Sequence, residues 1–275
     1  MLTVSALYIY PIKSLGGIAV DSAMVTDRGF KYDRRWMLVD ENNIFLSQRE
    51  IAQMALLKVE IEAEGLRVSH KYRDEIISIP FAPQGNETCS VVVWDDTCPA
   101  IYVSNEADKW FSNMLGYKCR LVYMPDDSHR LVDEKYSPGK ELTSFSDAYP
   151  FLLIGQASLD ELNSRLADAL PINRFRPNMV FTGGEPHSED IIKNFSINGI
   201  YFKGVKLCAR CIITTTDQDT GIRNKEPLKT LAKYRVKNNN ILFGQNLVNK
   251  GEGIIAVGDV LENITLHENN ERFMV

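Results

Sequence analysis

Two cysteines three positions apart, in Cys208-Ala209-Arg210-Cys211, carry the sharpest chemical signal in the chain. Four readings of the pair compete. Zinc needs further ligands, yet there is no second C-x-x-C, and His70, His129, His187 and His267 do not pair at finger-like spacing. A thioredoxin-type dithiol sits at a helix start, where the macrodipole favours a thiolate. Here the β-branched run Ile212-Ile213-Thr214-Thr215-Thr216 follows, which disfavours a helix. The third reading is one reactive thiolate stabilised by the adjacent Arg210, a soft ligand for a heavy metal. The fourth is two ordinary buried cysteines in a strand.

A second signal is a scatter of cations at turn-like positions. Lys13-Ser14 follows Tyr-Pro-Ile, Asp33-Arg34-Arg35 precedes a strand, and Arg174-Phe-Arg176-Pro-Asn178 leads into another. One such cation is usually a solvated charge. Several, interleaved with Pro and aromatics, suit a pocket for a phosphate-bearing ligand. The net charge is −5, so a small phosphorylated molecule fits better than a nucleic acid. No G-x-x-x-x-G-K-[ST] loop is present, and Gly183-Gly184 lacks the rest of a dinucleotide fingerprint. Ser14 and Ser158 have no G-x-S-x-G setting, and the histidines have no evident catalytic partner.

The elements that must position these residues are mostly strands. Short β-branched or alternating runs at 2–10, 36–39, 56–61, 66–71, 75–79 and 89–94 are separated by Gly, Asn, Asp or Pro. Asn42-Asn43 and Ala63-Glu64-Gly65 read as hairpin turns. A helix is predicted over 105–115, with Ser104 as its cap and Trp110 and Leu115 on its apolar stripe. Ser158-Leu-Asp-Glu161 predicts a capping box for a second helix, with Leu159, Leu162, Leu166 and Leu170 on one face up to Pro171. Strands resume at 178–182, 195–197 and 200–202, with Asn198-Gly199 as a type I′ turn, then at 205–216 and 254–264. The polar segment 126–146 reads as a long connection and a domain boundary.

Five cysteines in 275 residues are no disulfide scaffold, which predicts a reduced, cytoplasmic protein. The longest apolar runs, 90–94 and 149–154, are far short of a membrane span, so no membrane association is expected.

Six motifs occur in order: Tyr10-Pro-Ile-Lys-Ser14, Asp33-Arg34-Arg35-Trp36, Ser146-Asp147-Ala148-Tyr149-Pro150-Phe151, Asn173-Arg-Phe-Arg-Pro-Asn178, Cys208-Ala-Arg-Cys211 and Lys225-Glu-Pro-Leu228. Together they resemble the MOSC family, named for the carboxyl-terminal domain of molybdenum cofactor sulfurase. The amino-terminal half resembles the β-barrel that precedes MOSC in the mitochondrial amidoxime-reducing components and their bacterial relatives. The resemblance implies a mainly β protein. Residues 1–125 would form an amino-terminal β-barrel-like α+β domain, and 126–268 a β-barrel MOSC domain with a few helices.

It also implies a molybdenum cofactor, molybdenum carried by molybdopterin, bound to the Cys211 thiolate. Lys13 and Ser14 would hold its phosphate end. Arg34, Arg176, Asn178, Arg210 and the Ala209 backbone would add contacts. Asp147 and Ala148 fall where relatives place Asp with Thr or Ser near the metal, so Ala148 removes a hydroxyl. The implied activity is reduction of N-hydroxylated small molecules such as amidoximes or hydroxylamines. The C-x₄-C-x₂-C spacing of a plant-type ferredoxin is missing, so a separate ferredoxin, flavoprotein or cytochrome would supply electrons. A different class of function uses the same thiol: Cys211 as a sulfur carrier, with persulfide delivered by a partner desulfurase that holds pyridoxal phosphate. In either class the spacing permits Cys208 to be a spectator or a resolving thiol that pairs with Cys211.

Overall fold

A computed structural model describes residues 1–83, 85–137 and 139–267. Among them strands dominate, broken by three short α-helices, in line with the expected mainly β class.

The longest strands, Ile200–Ala209 and Asn240–Lys250, pair antiparallel at the centre of a nine-stranded sheet. Phe151–Gly155 joins the second of these and runs parallel to Met179–Thr182. That strand in turn pairs with the first strand of the chain, Thr3–Ile9. The amino terminus is therefore built into the sheet of the carboxyl-terminal half. This pairing delivers Tyr10 next to the turn at 176–178, where its hydroxyl donates to the Pro177 carbonyl (3.0 Å). Phe151, Phe181, Phe195 and Phe202 are fully buried against this sheet and seal its core. The other half holds a four-stranded sheet, with Trp36–Val39 at one edge, and the three-stranded meander Leu57–Ile61, Gly65–His70 and Ile76–Pro80.

Local chemistry explains most boundaries. The helix Asn105–Leu115 starts where Ser104 accepts the Ala107 amide (3.1 Å) and stops at Gly116, whose φ of 63° suits glycine. Asn198 and Gly199 both have positive φ, as a type I′ turn needs. Gly65 lets its strand lie close to the next, because a Cβ there would meet the Ile79 carbonyl oxygen at 2.2 Å.

Three expectations fail. The strand predicted over 205–216 ends at Ala209, after register shifts between Gly204 and Lys206 and between Leu207 and Ala209. Residues Ile212–Thr215 form a 3₁₀ turn instead. The Thr214 and Thr215 hydroxyls donate to the carbonyls of Cys211 (3.0 Å) and Ile212 (2.7 Å), which offers the backbone an alternative to the ladder. The run at 254–264 splits into Gly253–Ala256 and Glu262–Leu266 around Gly258 (φ 98°). The capping box does not form. Gly155 is the N-cap of the helix Gln156–Ser164, and Ser158, inside its first turn, donates to Glu189 Oε2 (2.8 Å). Leu166 and Leu170 lie beyond that helix, because the Asn163 side chain binds the Leu170 backbone through both its amide atoms.

Segment 126–146 has only an isolated Leu131–Leu142 bridge as regular structure, with Pro138 outside the described residues. Residue 268, the expected domain end, is outside them too. Among the described residues no helix is long and apolar enough to cross a membrane.

Glu189 is fully buried, and burial plus the neighbouring Asp190 charge push its pKa up to about 7, from 4.5. Between those values the folded protein keeps a proton that the unfolded chain has lost, so stability contributed by this group falls as pH rises. Glu189→Gln should therefore gain stability relative to the wild type from pH 4.5 to 7 in urea denaturation. A difference that does not change with pH would show that Glu189 is ionised in the fold.

Candidate functional site

Loops from both halves converge on one open cleft of about 270 Å³. Every residue expected at the site lines it: Lys13, Ser14 and Arg34 from the first half, then Asp147, Ala148, Arg176 and Asn178, and finally Ala209, Arg210 and Cys211.

The cationic wall is held by the backbone as much as by side chains. Ser14 (φ 67°), Arg34 (φ 49°) and Arg176 (φ 54°) all adopt the left-handed conformation, which costs a non-glycine residue about 1 kcal/mol or more. Buried Asp33 stabilises the turn at Arg34. It accepts from the Tyr10 amide (2.8 Å) and from Arg34 Nη1 (2.5 Å), while Asn178 Oδ1 takes a second bond from Arg34 (2.9 Å). The Tyr10 ring carries two guanidinium groups, Arg34 at 4.2 Å and Arg176 at 4.3 Å from its centroid. Gly17 gives that ring its place, since a Cβ there would come within 2.3 Å of it. Burial, with Tyr10 opposing and Arg34 adding repulsion, pulls the Arg176 pKa down to about 10. Two like charges crowded this closely favour an anion between or beside them.

The opposite wall centres on Asp147. Lys13 Nζ donates to Asp147 Oδ1 (2.6 Å) and to the Phe145 carbonyl (2.7 Å), and Arg49 Nη2 donates to Asp147 Oδ2 (3.0 Å). Lys13 is thus an ion-pair partner of Asp147. Buried Arg130 donates to the carbonyls of Ser144, Ser146 and Asp147, which fixes the segment. Although 54% of the Asp147 side chain faces the open cleft, its carboxyl is ringed by cations. Desolvation raises its pKa, but Lys13 and Arg49 outweigh that and hold it well below the usual carboxylate range. Burial lowers Lys13 to about 8 against the pull of Asp147.

The cation expected to stabilise Cys211 is not the adjacent one. Arg210 turns away, donating to Cys208 Sγ (2.9 Å) and to the Phe175 carbonyl (2.6 Å). Arg49, which donates to Asp147, lines the cleft with Cys211 instead. Burial lowers its pKa, and Asp147 and then Cys211 more than offset this. Arg49, Lys206 and Asn246 also line the cleft, though no local motif marks them. All five cysteines are free thiols. Among the described residues no three His, Cys, Asp or Glu side chains converge as a protein-only zinc cage requires.

Residues 1–118 match the MOSC N-terminal beta barrel domain and residues 140–262 the MOSC domain. Over 94% of its length the chain is 33% identical to mitochondrial amidoxime-reducing component 1 of Mus musculus, covering 81% of that protein. The chain belongs to the MOSC family. Its identity to the Homo sapiens amidoxime-reducing component 1 is 31%, with the same coverage of both chains. Molybdenum cofactor sulfurase of Solanum lycopersicum is 31% identical over 87% of this chain, a match that spans 32% of the plant protein.

In this MOSC protein the cleft sets several fixed cations against one carboxylate. Removing that carboxylate should strengthen anion binding. By calorimetry at low salt, Asp147→Asn is expected to bind inorganic pyrophosphate about fivefold more tightly, and Arg176→Ala about fivefold more weakly, the effect of one unit charge at ~4 Å in water. Affinities unmoved by either change would mean that these groups do not form an anion site.

Proposed function

We propose that the cleft holds a molybdenum cofactor, and that the protein is a molybdenum-dependent oxidoreductase acting on small N-hydroxylated substrates of the amidoxime or hydroxylamine type. Electrons would come from a separate donor protein. The observation that carries this reading is the meeting, in one cleft, of the Cys211 thiol with cations from both halves of the chain.

The residues present fit such a group. Arg49 Nη1 and Arg210 Nε are buried without a hydrogen-bond partner, as expected of donors that complete their bonds on an anionic ligand. Cys211 is a soft ligand suited to the metal. Ser14, Arg34, Arg176 and Asn178, with Lys13 behind Asp147, would grip the phosphorylated part, while Ala148, Ala209 and Arg210 form the adjoining wall. When bound, the cofactor supplies the two-electron redox chemistry.

The chain's own groups do the rest. Arg49 brings a positive charge into the cleft that Cys211 lines. Asp147 is ionised, so it accepts hydrogen bonds and does not donate a proton. Lys13 and Trp94 occupy one of its oxygens and Arg49 the other, which leaves an acceptor position open to the cleft. An amino group of an amidine-like substrate suits that position. Ala148 adds no polar atom beside it.

The likeness to the plant sulfurase favours a second reading, in which Cys211 carries persulfide sulfur from a partner desulfurase that holds pyridoxal phosphate. One experiment separates the two. Protein from a cofactor-replete host is analysed for molybdenum per chain and for amidoxime reduction with a chemical electron donor, beside Cys211→Ala. Near-stoichiometric molybdenum and turnover, both lost in the variant, are expected. Folded wild-type protein without molybdenum but with persulfide on Cys211 would replace the reductase reading with sulfur carriage.

A further inference from the structure

We infer that Arg223 is the positioning residue that sets the Arg49 guanidinium in the cleft that Cys211 lines. Arg223 Nη2 donates to two consecutive carbonyls, those of Gln48 and Arg49, the latter at 2.6 Å. It therefore grips the backbone of the residue whose side chain enters the cleft of the thiol.

The grip closes a ring. Cys211 caps the 3₁₀ turn Ile212–Thr215, and the chain then loops out and returns at Arg223, which faces Thr216 across an isolated antiparallel bridge. The adjacent Asn224 amide donates to the Thr215 carbonyl (3.0 Å). One short loop thus holds the thiol at its start and, at its end, the guanidinium that fixes the thiol's cation. From Arg49 the ring runs back through its side chain, which lies over the Trp94 ring (4.5 Å) and donates to Asp147 Oδ2 (3.0 Å), into the cleft that Cys211 lines.

A second clasp lies alongside. Gln48 and Gln218, both buried, exchange amide hydrogen bonds (3.2 and 3.0 Å), and Gln48 Nε2 also donates to the Ser14 carbonyl (2.7 Å). The loop after Cys211 therefore orders both the Ser14 turn and the segment that carries Arg49. Such restraint matters because Lys13 is a like charge, which raises the cost of keeping Arg49 in place. A backbone already held has less freedom to lose when the side chain settles there.

The inference deepens the proposed function, resting on Cys211 as the reactive thiol, but its test needs no molybdenum. Cofactor-free full-length protein is alkylated at one pH with iodoacetate or with iodoacetamide, and the adduct at Cys211 is followed by mass spectrometry. The ratio of the two rates reports local positive charge, because only iodoacetate is an anion. Arg49→Ala should lower the ratio about fivefold, as loss of a unit charge at ~4 Å in water would. Arg223→Ala should match Arg49→Ala within a factor of about two, and Arg223→Lys, which keeps a donor, should restore most of the wild-type ratio.

A purely structural role for Arg223 would change both rates alike and leave their ratio at the wild-type value, which overturns the inference. So would an unchanged ratio in Arg49→Ala. Should Arg223→Ala fail to fold, Arg223→Met, which keeps the stem and loses the donors, is judged by the same rule. Wild-type protein without molybdenum would sink the proposed function alone, whereas an unchanged ratio in the Arg223 variants would sink only the clasp.

Discussion

Like charges held together with little solvent are the constraint around which the cleft is arranged. Arg34 and Arg176 lie over one tyrosine ring, and Lys13 and Arg49 share one carboxylate. In isolation these groups would repel one another and turn to water. The fold opposes this with a buried carboxylate at Asp33, the π face of Tyr10, and three main-chain turns in a disfavoured conformation, at Ser14, Arg34 and Arg176. Tyr10 serves as a neutral platform because burial raises its pKa far above the usual phenol value, against the pull of both arginines. An anionic ligand would relieve repulsion that the protein otherwise sustains through its backbone.

The same constraint explains why the two halves are interleaved. Thr3–Ile9 sits beside Met179–Thr182, so the Tyr10–Ser14 turn emerges against the turn at Arg176, whose Nη1 donates to the Leu15 carbonyl (2.7 Å). Lys13 reaches the Phe145 carbonyl and Asp147, and the Gln48–Gln218 pair joins the loop after Cys211 to the first half. Each wall is completed by atoms from the other half.

The two cysteines of the C-x-x-C show how this geometry divides labour between similar residues. Register shifts at the end of Ile200–Ala209 and the 3₁₀ turn that follows give each sulfur its own surroundings. Cys208 receives Arg210, and Cys211 shares the cleft with Arg49. Bulges commonly re-aim side chains near sites of this kind. Here the effect is to exchange which arginine serves which thiol.

The sequence by itself determined the elements whose causes are local. The mainly β pattern, the helix capped by Ser104 and the Asn198-Gly199 turn follow from periodicity and turn chemistry within a few residues. The ordered motifs marked Lys13, Ser14, Arg34, Asp147, Arg176 and Cys211 as residues of one site. Tertiary structure decided what depends on contacts between distant segments. Ser158 binds Glu189 and caps no helix, because burial gave its hydroxyl a better-placed acceptor. The apolar run after Cys211 leaves the sheet, because Thr214 and Thr215 satisfy the backbone themselves. Arg49 brings charge to the cleft of Cys211, where Arg210 is drawn to Cys208 and the Phe175 carbonyl and Arg223 binds the Arg49 carbonyl. No local pattern encodes that exchange, since hydrogen-bond partners in a packed cleft are chosen by proximity in space and not by order along the chain.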